Sequence, residues 1–378
     1  VLASLAVFYA AALLLLLQRL AGGRTRRPPE APLVSSRGDG SVTIVVATLN
    51  EAHRIAPLLK GVMAQGPIVG EILVVDSRST DGTRAIVEAA AARDPRVKLL
   101  TDPSLPTGWI GKAWALQYGL EQAQSKWVLG LDADTAPRAG LAEAVVAAAD
   151  REKFDVVSFA PRFDGQTAAE LFVQPALLVT LVYRFGAAGD PRVHPDRVMA
   201  NGQCFLAKRI VLLDHGGYEP VKSSFAEDVS LARRLAQRSV PVGFLDGSRL
   251  YTVKSYSGVG EMWREWGRSL DLKNATTPRK QWFDVAFLLV AQGTPLFVFA
   301  ALVALGDHVA PGWARTILLY STGALSAMRL LLLLGIRGSY TQHGPSFWLS
   351  PLADPLAFIR ILLSTLVRPK RWRTRAYE

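Results

Sequence analysis

The sequence predicts an α/β fold, with a mostly parallel sheet in a soluble middle and transmembrane helices on its N- and C-terminal sides. Three observations predict it. Apolar stretches long enough to cross a bilayer flank a middle of ordinary polarity; within that middle, β-branched runs alternate with segments of helical periodicity; and each run ends in polar residues. Half of the 378 residues are hydrophobic, and they are unevenly distributed.

The first element is "VLASLAVFYAAALLLLLQRL", about 20 residues with no charge before Arg19, enough for a helix to cross a hydrocarbon core of about 30 Å. A cleaved signal peptide has a shorter apolar run behind a basic stretch, so residues 1–21 are expected to be a transmembrane helix. "WFDVAFLLVAQGTPLFVFAALVALG" (282–306) and "WARTILLYSTGALSAMRLLLLLGI" (313–336) are again of spanning length, and neither has a polar face. "SFWLSPLADPLAFIRILLSTLV" (346–367) is interrupted by Pro351, Asp354, Pro355 and Arg360, and is expected to be interfacial or re-entrant. The expected membrane region is therefore 282–367, with two spans and this fourth segment.

The formal net charge is +11, and basic runs stand beside the apolar segments: "RTRR" at 24–27 and "RPKRWRTR" at 368–375. The positive-inside rule places both in the cytoplasm, and the crossings agree if the fourth segment does not span. This makes the protein a multi-pass plasma-membrane protein with a cytoplasmic middle and a basic cytoplasmic tail, 368–378. A nucleic-acid partner is not needed to explain a juxtamembrane charge that anionic headgroups attract. The single cysteine, Cys204, excludes an intramolecular disulfide and any multi-cysteine zinc site, and the five histidines show no metal-ligand spacing.

After a Pro/Gly/Ser-rich linker (22–41), "VTIVVATLN" (42–50) reads as a strand buried on both faces. "EAHRIAPLLKGVMAQ" places Ile55, Leu58, Leu59 and Val62 at helical spacing, and "EILVVDSRSTDGT" is a second strand with a turn. "TRAIVEAAAARD" is a helix, "RVKLLTD" a third strand, "GKAWALQYGLEQAQ" a third helix and "KWVLGLDADTAP" a fourth strand. Such alternation makes β-α-β units and a parallel sheet, expected over 42–260, and ligands bind beyond the carboxyl ends of such strands. At those ends stand Thr48, Asn50 and Glu51, then Asp76, then Asp132 and Asp134. With 19 aspartates in the chain, about one D-x-D pair is expected by chance. Its position at a strand end is what lifts this pair above accident.

"VVATLNE", "ILVVDSRSTDGT", "GWIGKAWAL", "LGLDADT", "NGQCFLAKR...HGGY" and "FAEDVSLARRL" stand in the order and spacing of the family 2 glycosyltransferases of GT-A fold, which is Rossmann-like. The chain resembles that family from residue 42 to about 270. "GWIGKAWAL" and "WREWGRSL" are similar to its membrane-anchored, lipid-modifying branch, the carotenoid and hopanoid glycosyltransferases. The resemblance implies a nucleotide-sugar donor, a UDP-sugar first, a hydrophobic lipid acceptor, and Mg²⁺ or Mn²⁺ as cofactor. It makes Asp134 the metal ligand and Asp132 its supporting carboxylate on the ribose or a metal-bound water. It makes Asp76 the partner of the base, and Thr48, Asn50 and Glu51 the lining of the nucleotide pocket.

The chemistry is consistent with these roles. A diphosphate leaving group gains charge as the glycosidic bond breaks, and hard cations held by one or two carboxylates stabilise it. Lys112 lies in "GWIGKAW", which fails the Walker pattern in both glycine spacing and the residue after lysine, but a lysine at a helix start still serves as a point charge for a phosphate. Asp81-Gly82 is a turn signal and Asp81 a structural residue. Glu227 and Asp228 stand where a helix begins, where acids are favoured in any case. The resemblance makes Asp228 the general base that deprotonates the acceptor hydroxyl, hence inversion at the anomeric carbon, with Glu227 on the acceptor side. Processive members carry Q-x-x-R-W, whereas this chain has "MWREWGRSL" (262–270). The departure argues for transfer of one sugar to a lipid over polymer synthesis or a non-catalytic binding protein. Within 261–281, Trp263, Trp266 and Arg268 form either the acceptor rim or an amphipathic helix at the headgroups.

Overall fold

The computed structural model describes residues 1–35, 38–190, 194–254, 256, 258–308, 311–369, 371–372 and 375–377. The basic run at 368–375 lies partly outside them. The chain divides into two compact units. One holds Val1–Arg26, Asp164–Ala187 and Tyr256–Arg368; the other holds Arg27–Phe163, Ala188–Ser255 and Pro369–Glu378.

The second unit is the expected α/β domain. Its strands are β1 (Val42–Thr48), β2 (Val69–Asp76), β3 (Val97–Thr101), β4 (Trp127–Leu131), β5 (Thr135–Pro137), β6 (Val156–Ala160), β7 (Arg162–Phe163), β8 (Cys204–Lys208), β9 (Val242–Asp246) and β10 (Tyr251–Val253). Seven pair in the order β3-β2-β1-β4-β8-β6-β9. β1, β2, β3 and β4 are parallel to one another, as are β6 and β9, while β8 runs antiparallel to both of its neighbours. A small second sheet, β5-β10-β7, stands beside the carboxyl end of β4.

β1 shows why its sequence makes a central strand. Val42, Ile44 and Val46 point into one core with Ile55, Leu58 and Val62 of the helix Ile55–Met63, while Val45 packs on the other face with Leu73, Val75 and Val128. A continuous β-branched run satisfies both faces at once, and burying each such side chain contributes roughly 1.5–3 kcal/mol. The strand order reverses direction at β1 and β4, so the crevice beyond these two strands is a topological switch point, where open α/β sheets bind ligands.

The first unit is helical. Three helical segments are long and apolar enough to cross a membrane, Leu2–Thr25, Ala168–Phe185 and Trp313–Ser339, and a fourth arises if Pro278–Gly293 and Pro295–Leu305 are counted together. Ala168–Phe185 falls inside the stretch expected to be the soluble domain, but its packing belongs to this unit. It starts with a capping box between Thr167 and Glu170, and Gln174, Thr180 and Arg184 are buried along it. The stretch of spanning length at 282–306 bends by 45° at a π-helical turn, Leu289–Gly293, followed by Pro295. Proline removes one backbone donor and the π turn another regular bond, so the helix breaks there. The fourth apolar segment is built from three short pieces, Pro345–Trp348, Ser350–Ala353 and Asp354–Leu366. At 1.5 Å per residue its 13-residue helix rises about 20 Å, short of a hydrocarbon core of about 30 Å. Large apolar side chains such as Phe8, Leu14, Val303, Leu331 and Leu334 stand exposed on these helices, as a lipid-facing surface requires.

Candidate active site

Thr48 and Asp76 close β1 and β2 in register, and both side chains are fully buried. The Thr48 hydroxyl donates to the Val75 carbonyl at 3.2 Å and lies 3.5 Å from Asp76 Oδ1. Asp76 accepts from the Ser79 N–H at 3.1 Å and from Arg84 Nη1 at 3.1 Å, and Arg84 also donates to the Thr101 hydroxyl at 2.9 Å. Asn50 adopts φ 56°, a left-handed conformation that asparagine tolerates better than most residues. Its Oδ1 accepts from the Thr80 N–H and its own N–H donates to the Ser79 hydroxyl, both at 2.8 Å. Glu51 is buried, donates its N–H to Thr83 Oγ1 at 2.9 Å, and pairs with Arg54 at 2.6 Å. Asp81 accepts from the backbone N–H groups of Ala52 and Thr83, which is the turn role its Asp-Gly sequence demands.

A second cluster forms at the end of β4. Asp132 follows the strand, and its carbonyl accepts from the Thr135 N–H and hydroxyl, fixing the turn that carries Asp134. Both aspartates are half-buried and so remain accessible from the crevice. Lys112 stands in the first turn of the helix Gly111–Gln122. Its ammonium lies 2.9 Å from Asp132 Oδ1 and 2.9 Å from Glu227 Oε1, joining the end of β4 to the start of the helix Glu227–Gln237. Asp228, next to Glu227, accepts from the Gly202 N–H at 2.6 Å. Burial alone would lower the Lys112 pKa, but Asp132, Glu227 and Asp228 outweigh it, and the ammonium is held more firmly protonated than an ordinary lysine. The Asp228 carboxyl is pushed up to about 6 by burial and by the charge of Glu227, against the pull of Lys112.

Residues 43–214 match the family described as Glycosyl transferase family 2. That stretch, largely of the α/β unit, is similar to a family 2 glycosyltransferase domain. Succinoglycan biosynthesis protein ExoA of Rhizobium meliloti (strain 1021) is 27% identical over 234 residues, 60% of this chain and 67% of that protein. Succinoglycan biosynthesis protein ExoO of the same strain is 34% identical over 125 residues, 31% of this chain and 34% of that protein. Dolichyl-phosphate beta-glucosyltransferase ALG5C of Trichomonas vaginalis (strain ATCC PRA-98 / G3) is 33% identical over 115 residues, covering 28% and 33%. The chain thus spans about a third of the length of the last two relatives. Among solved structures, the mannosyltransferase PcManGT from Pyrobaculum calidifontis, in complex with GDP-Man and Mn²⁺, superposes with a TM-score of 0.58 at 20% identity, covering 99% of this chain and 100% of that one. At that identity the likeness is one of fold, and the fold is GT-A.

Asp132 and Asp134 offer only carboxylate oxygens, the ligand type that Mg²⁺ and Mn²⁺ prefer. Among the described residues no group of three or more His, Cys, Asp or Glu side chains forms a closed metal site. One or two carboxylates fit a cation whose other positions are filled by phosphate oxygens and water, and the residues present fit that arrangement.

Several participants carry no signature that the sequence reading used. Gly202 contributes only a backbone N–H, and a Cβ there would stand 3.0 Å from Lys112 Nζ and 3.4 Å from Asp228 Oδ2, so any side chain presses on the flexible end of that lysine. Its place in "NGQC" was the available signal. Arg84, four-tenths exposed, neutralises Asp76 from the following helix. Tyr377, in the segment expected to be a cytoplasmic tail, belongs to the α/β unit, where its hydroxyl accepts from the Gly111 N–H at 2.8 Å and its ring meets Phe225 edge-on. Trp263, Trp266 and Arg268 lie on the helix Val259–Ser269 of the other unit. There Trp266 is buried, Arg268 pairs with Glu265 at 2.9 Å, and the Arg360 guanidinium sits 5.3 Å from the Trp263 ring.

Proposed function

We propose that the protein is an inverting glycosyltransferase that moves one sugar from a nucleotide-sugar donor to a hydroxyl of a membrane lipid, of carotenoid or hopanoid type. The observation that carries this reading is the array of Asp132, Lys112, Glu227 and Asp228 at the switch point, with Asp76 and Thr48 on the neighbouring strands. Asp76, Thr48, Asn50 and Glu51 line the nucleotide side. Asp132 and Asp134 would hold Mg²⁺ or Mn²⁺, which when bound supplies positive charge to the diphosphate leaving group.

Lys112 holds Asp132 and Glu227 together through its two ion pairs, offsetting the repulsion between the two carboxylates. Asp228 takes the acceptor proton at its carboxylate. Its pKa near 6 leaves it mostly ionised at neutral pH, yet makes it a stronger base than an ordinary aspartate. The Gly202 N–H fixes the direction of that carboxylate. With one base acting opposite the leaving group, a single in-line displacement inverts the anomeric carbon.

The candidate spans Leu2–Thr25 and Trp313–Ser339 and the basic run at 24–27 support a multi-pass plasma-membrane protein with its catalytic domain in the cytoplasm; Ala168–Phe185 does not count as a crossing, because β6 and β8 on either side of it pair in one sheet. An enzyme so held meets a lipid acceptor at the bilayer surface. The test is to incubate membranes containing the protein with labelled nucleotide sugars, Mn²⁺ or Mg²⁺, and extracted lipids, and to analyse products by mass spectrometry. A singly glycosylated lipid supports the reading. Products of increasing length from the same incubation would replace it with polymer synthesis, and absence of metal-dependent transfer across a broad donor panel would remove it.

A further inference from the structure

The helical unit holds a polar cluster that sugar transfer does not explain. Arg329, deep in the apolar helix Trp313–Ile336, donates from Nε to both carboxylate oxygens of Asp354, at 3.0 and 2.8 Å. Both side chains are about 5% exposed or less. Gln292, in the π-helical turn, donates from Nε2 to Asp354 Oδ1 at 3.0 Å and to the Ala176 carbonyl at 2.8 Å. Those two partners are acceptors only, so they fix which end of the amide is nitrogen. Two polar atoms remain buried without a hydrogen-bond partner: Arg329 Nη1, a donor, and Gln292 Oε1, an acceptor.

Both residues line one cleft with free space of about 10 Å³, together with Ser326 and the apolar Leu296, Leu325 and Leu330. That is room for one water-sized group, and suits a terminal hydroxyl whose carbon chain lies outside. The Arg329–Asp354 pair is neutral as a unit, so the cleft has no net charge to attract an ion. A buried polar atom left unsatisfied is destabilising. A hydroxyl seated between these two residues would serve both atoms, accepting from the guanidinium and donating to the amide. The leucines would then cover the hydrocarbon attached to it, and Leu330, half-exposed, marks the mouth.

We propose that this cleft binds the hydroxyl end of a lipid alcohol. The assignment goes beyond the transfer reaction and does not depend on it. The test uses the full chain in phosphatidylcholine nanodiscs, whose lipid has no free hydroxyl, with photoreactive analogues of hexadecanol, of hexadecyl methyl ether and of hexadecane. Peptides covering 291–296 and 325–330 should be labelled by the alcohol, and excess hexadecanol should suppress that labelling. The ether, which accepts but cannot donate, should label at least about tenfold less.

Leu296→Trp and Leu330→Trp, which fill the cleft without touching the ion pair, should each cut labelling about tenfold while nucleotide-sugar binding persists as the check on folding. Diacylglycerol as competitor separates a glycerolipid hydroxyl from a linear or polyisoprenoid alcohol. Equal labelling by alcohol and ether, labelling that both tryptophan variants leave unchanged, or labelling absent from these peptides would each overturn the proposal, the last leaving only a buried water. An alcohol that labels the cleft but receives no sugar would count against the acceptor reading above and leave the cleft intact. One that receives sugar without labelling would do the reverse.

Discussion

The two units each bury acidic side chains, and they neutralise them differently. In the α/β unit a single ammonium, Lys112, lies against Asp132 and Glu227, with Asp228 beside them and Asp134 two residues from Asp132. In the helical unit one guanidinium meets one carboxylate through an Nε–H shared between both oxygens, with Gln292 as a neutral third member. The first arrangement is under-neutralised: three clustered carboxylates face one cation, and the surplus negative charge can be relieved by a divalent ion. The second is matched, and its remaining capacity is for an uncharged polar group. The same ingredient thus marks a site for charge chemistry in one unit and a neutral polar pocket in the other. Counting opposing charges around each buried acid separates the two.

The comparison can be broken most sharply at Asp228. Asp228→Asn keeps the shape and removes the base, and turnover should fall about 10²- to 10⁴-fold with nucleotide-sugar affinity unchanged, as steady-state kinetics and calorimetric titration would read. Asp134→Asn should also abolish turnover but in addition weaken donor binding only when metal is present. Equal donor binding in both variants, with and without metal, would deny the two aspartates separate roles.

In the matched pair the effect moves from activity to stability. Asp354→Asn leaves a buried guanidinium without its counter-charge and should cost about 3–5 kcal/mol by denaturation in detergent. Glu227→Gln, which leaves Lys112 with Asp132, should cost well under half of that. If the two substitutions cost the same, the contrast between a matched and an under-neutralised cluster fails.

The pH profile sharpens the first site further. The folded Asp228 pKa is raised to about 6, so the base is protonated and inactive below it, and kcat/KM should fall about tenfold per pH unit under pH 6. The sign for stability is opposite to that of a salt-bridged acid. A carboxyl raised above its ordinary 3.8 binds more protons folded than unfolded between about 4 and 6, so its contribution to stability declines as pH rises through that window. The smallest effect is expected from Gly202→Ala. Its Cβ would press on the flexible end of Lys112, and a few-fold loss in kcat without loss of donor affinity should follow.

How much of this the sequence discloses depends on whether a feature has a side-chain pattern. β1, β2 and β4 are readable because strands covered on both faces have to be continuously apolar, and their polar ends then announce the crevice. Asp76 and Asp132 stand out because they follow buried strands at the crevice, whereas Asp228 stands where any helix favours an acid and only the family resemblance singles it out. β8 is different: "CFLAK" reads as a strand, but its antiparallel direction is set by where the chain returns, which no local pattern encodes. The helix Ala168–Phe185 is hidden because Glu170, Gln174 and Arg184 give it the polarity of a soluble helix, although its neighbours bury all three. Gly202 and the unsatisfied atoms of Arg329 and Gln292 become visible only when distant segments are brought together, since a backbone donor or a spare lone pair leaves no mark on composition.

The helix Ala168–Phe185 has a consequence for how the protein can be made and cut. It lies in the chain between β7 and β8, so the ribosome completes β6 before either of its sheet partners, β8 and β9, exists. During synthesis β4 also presents an open edge, and the chain has to deliver an apolar helix to another destination before that edge is closed. No single truncation can therefore release the sheet as a free domain. A fragment from β1 to β10 carries the helix with it, and one ending before the helix lacks two of the seven strands and three of the six strand pairings. A soluble version requires excision of the helix and a short bridge from β7 towards β8.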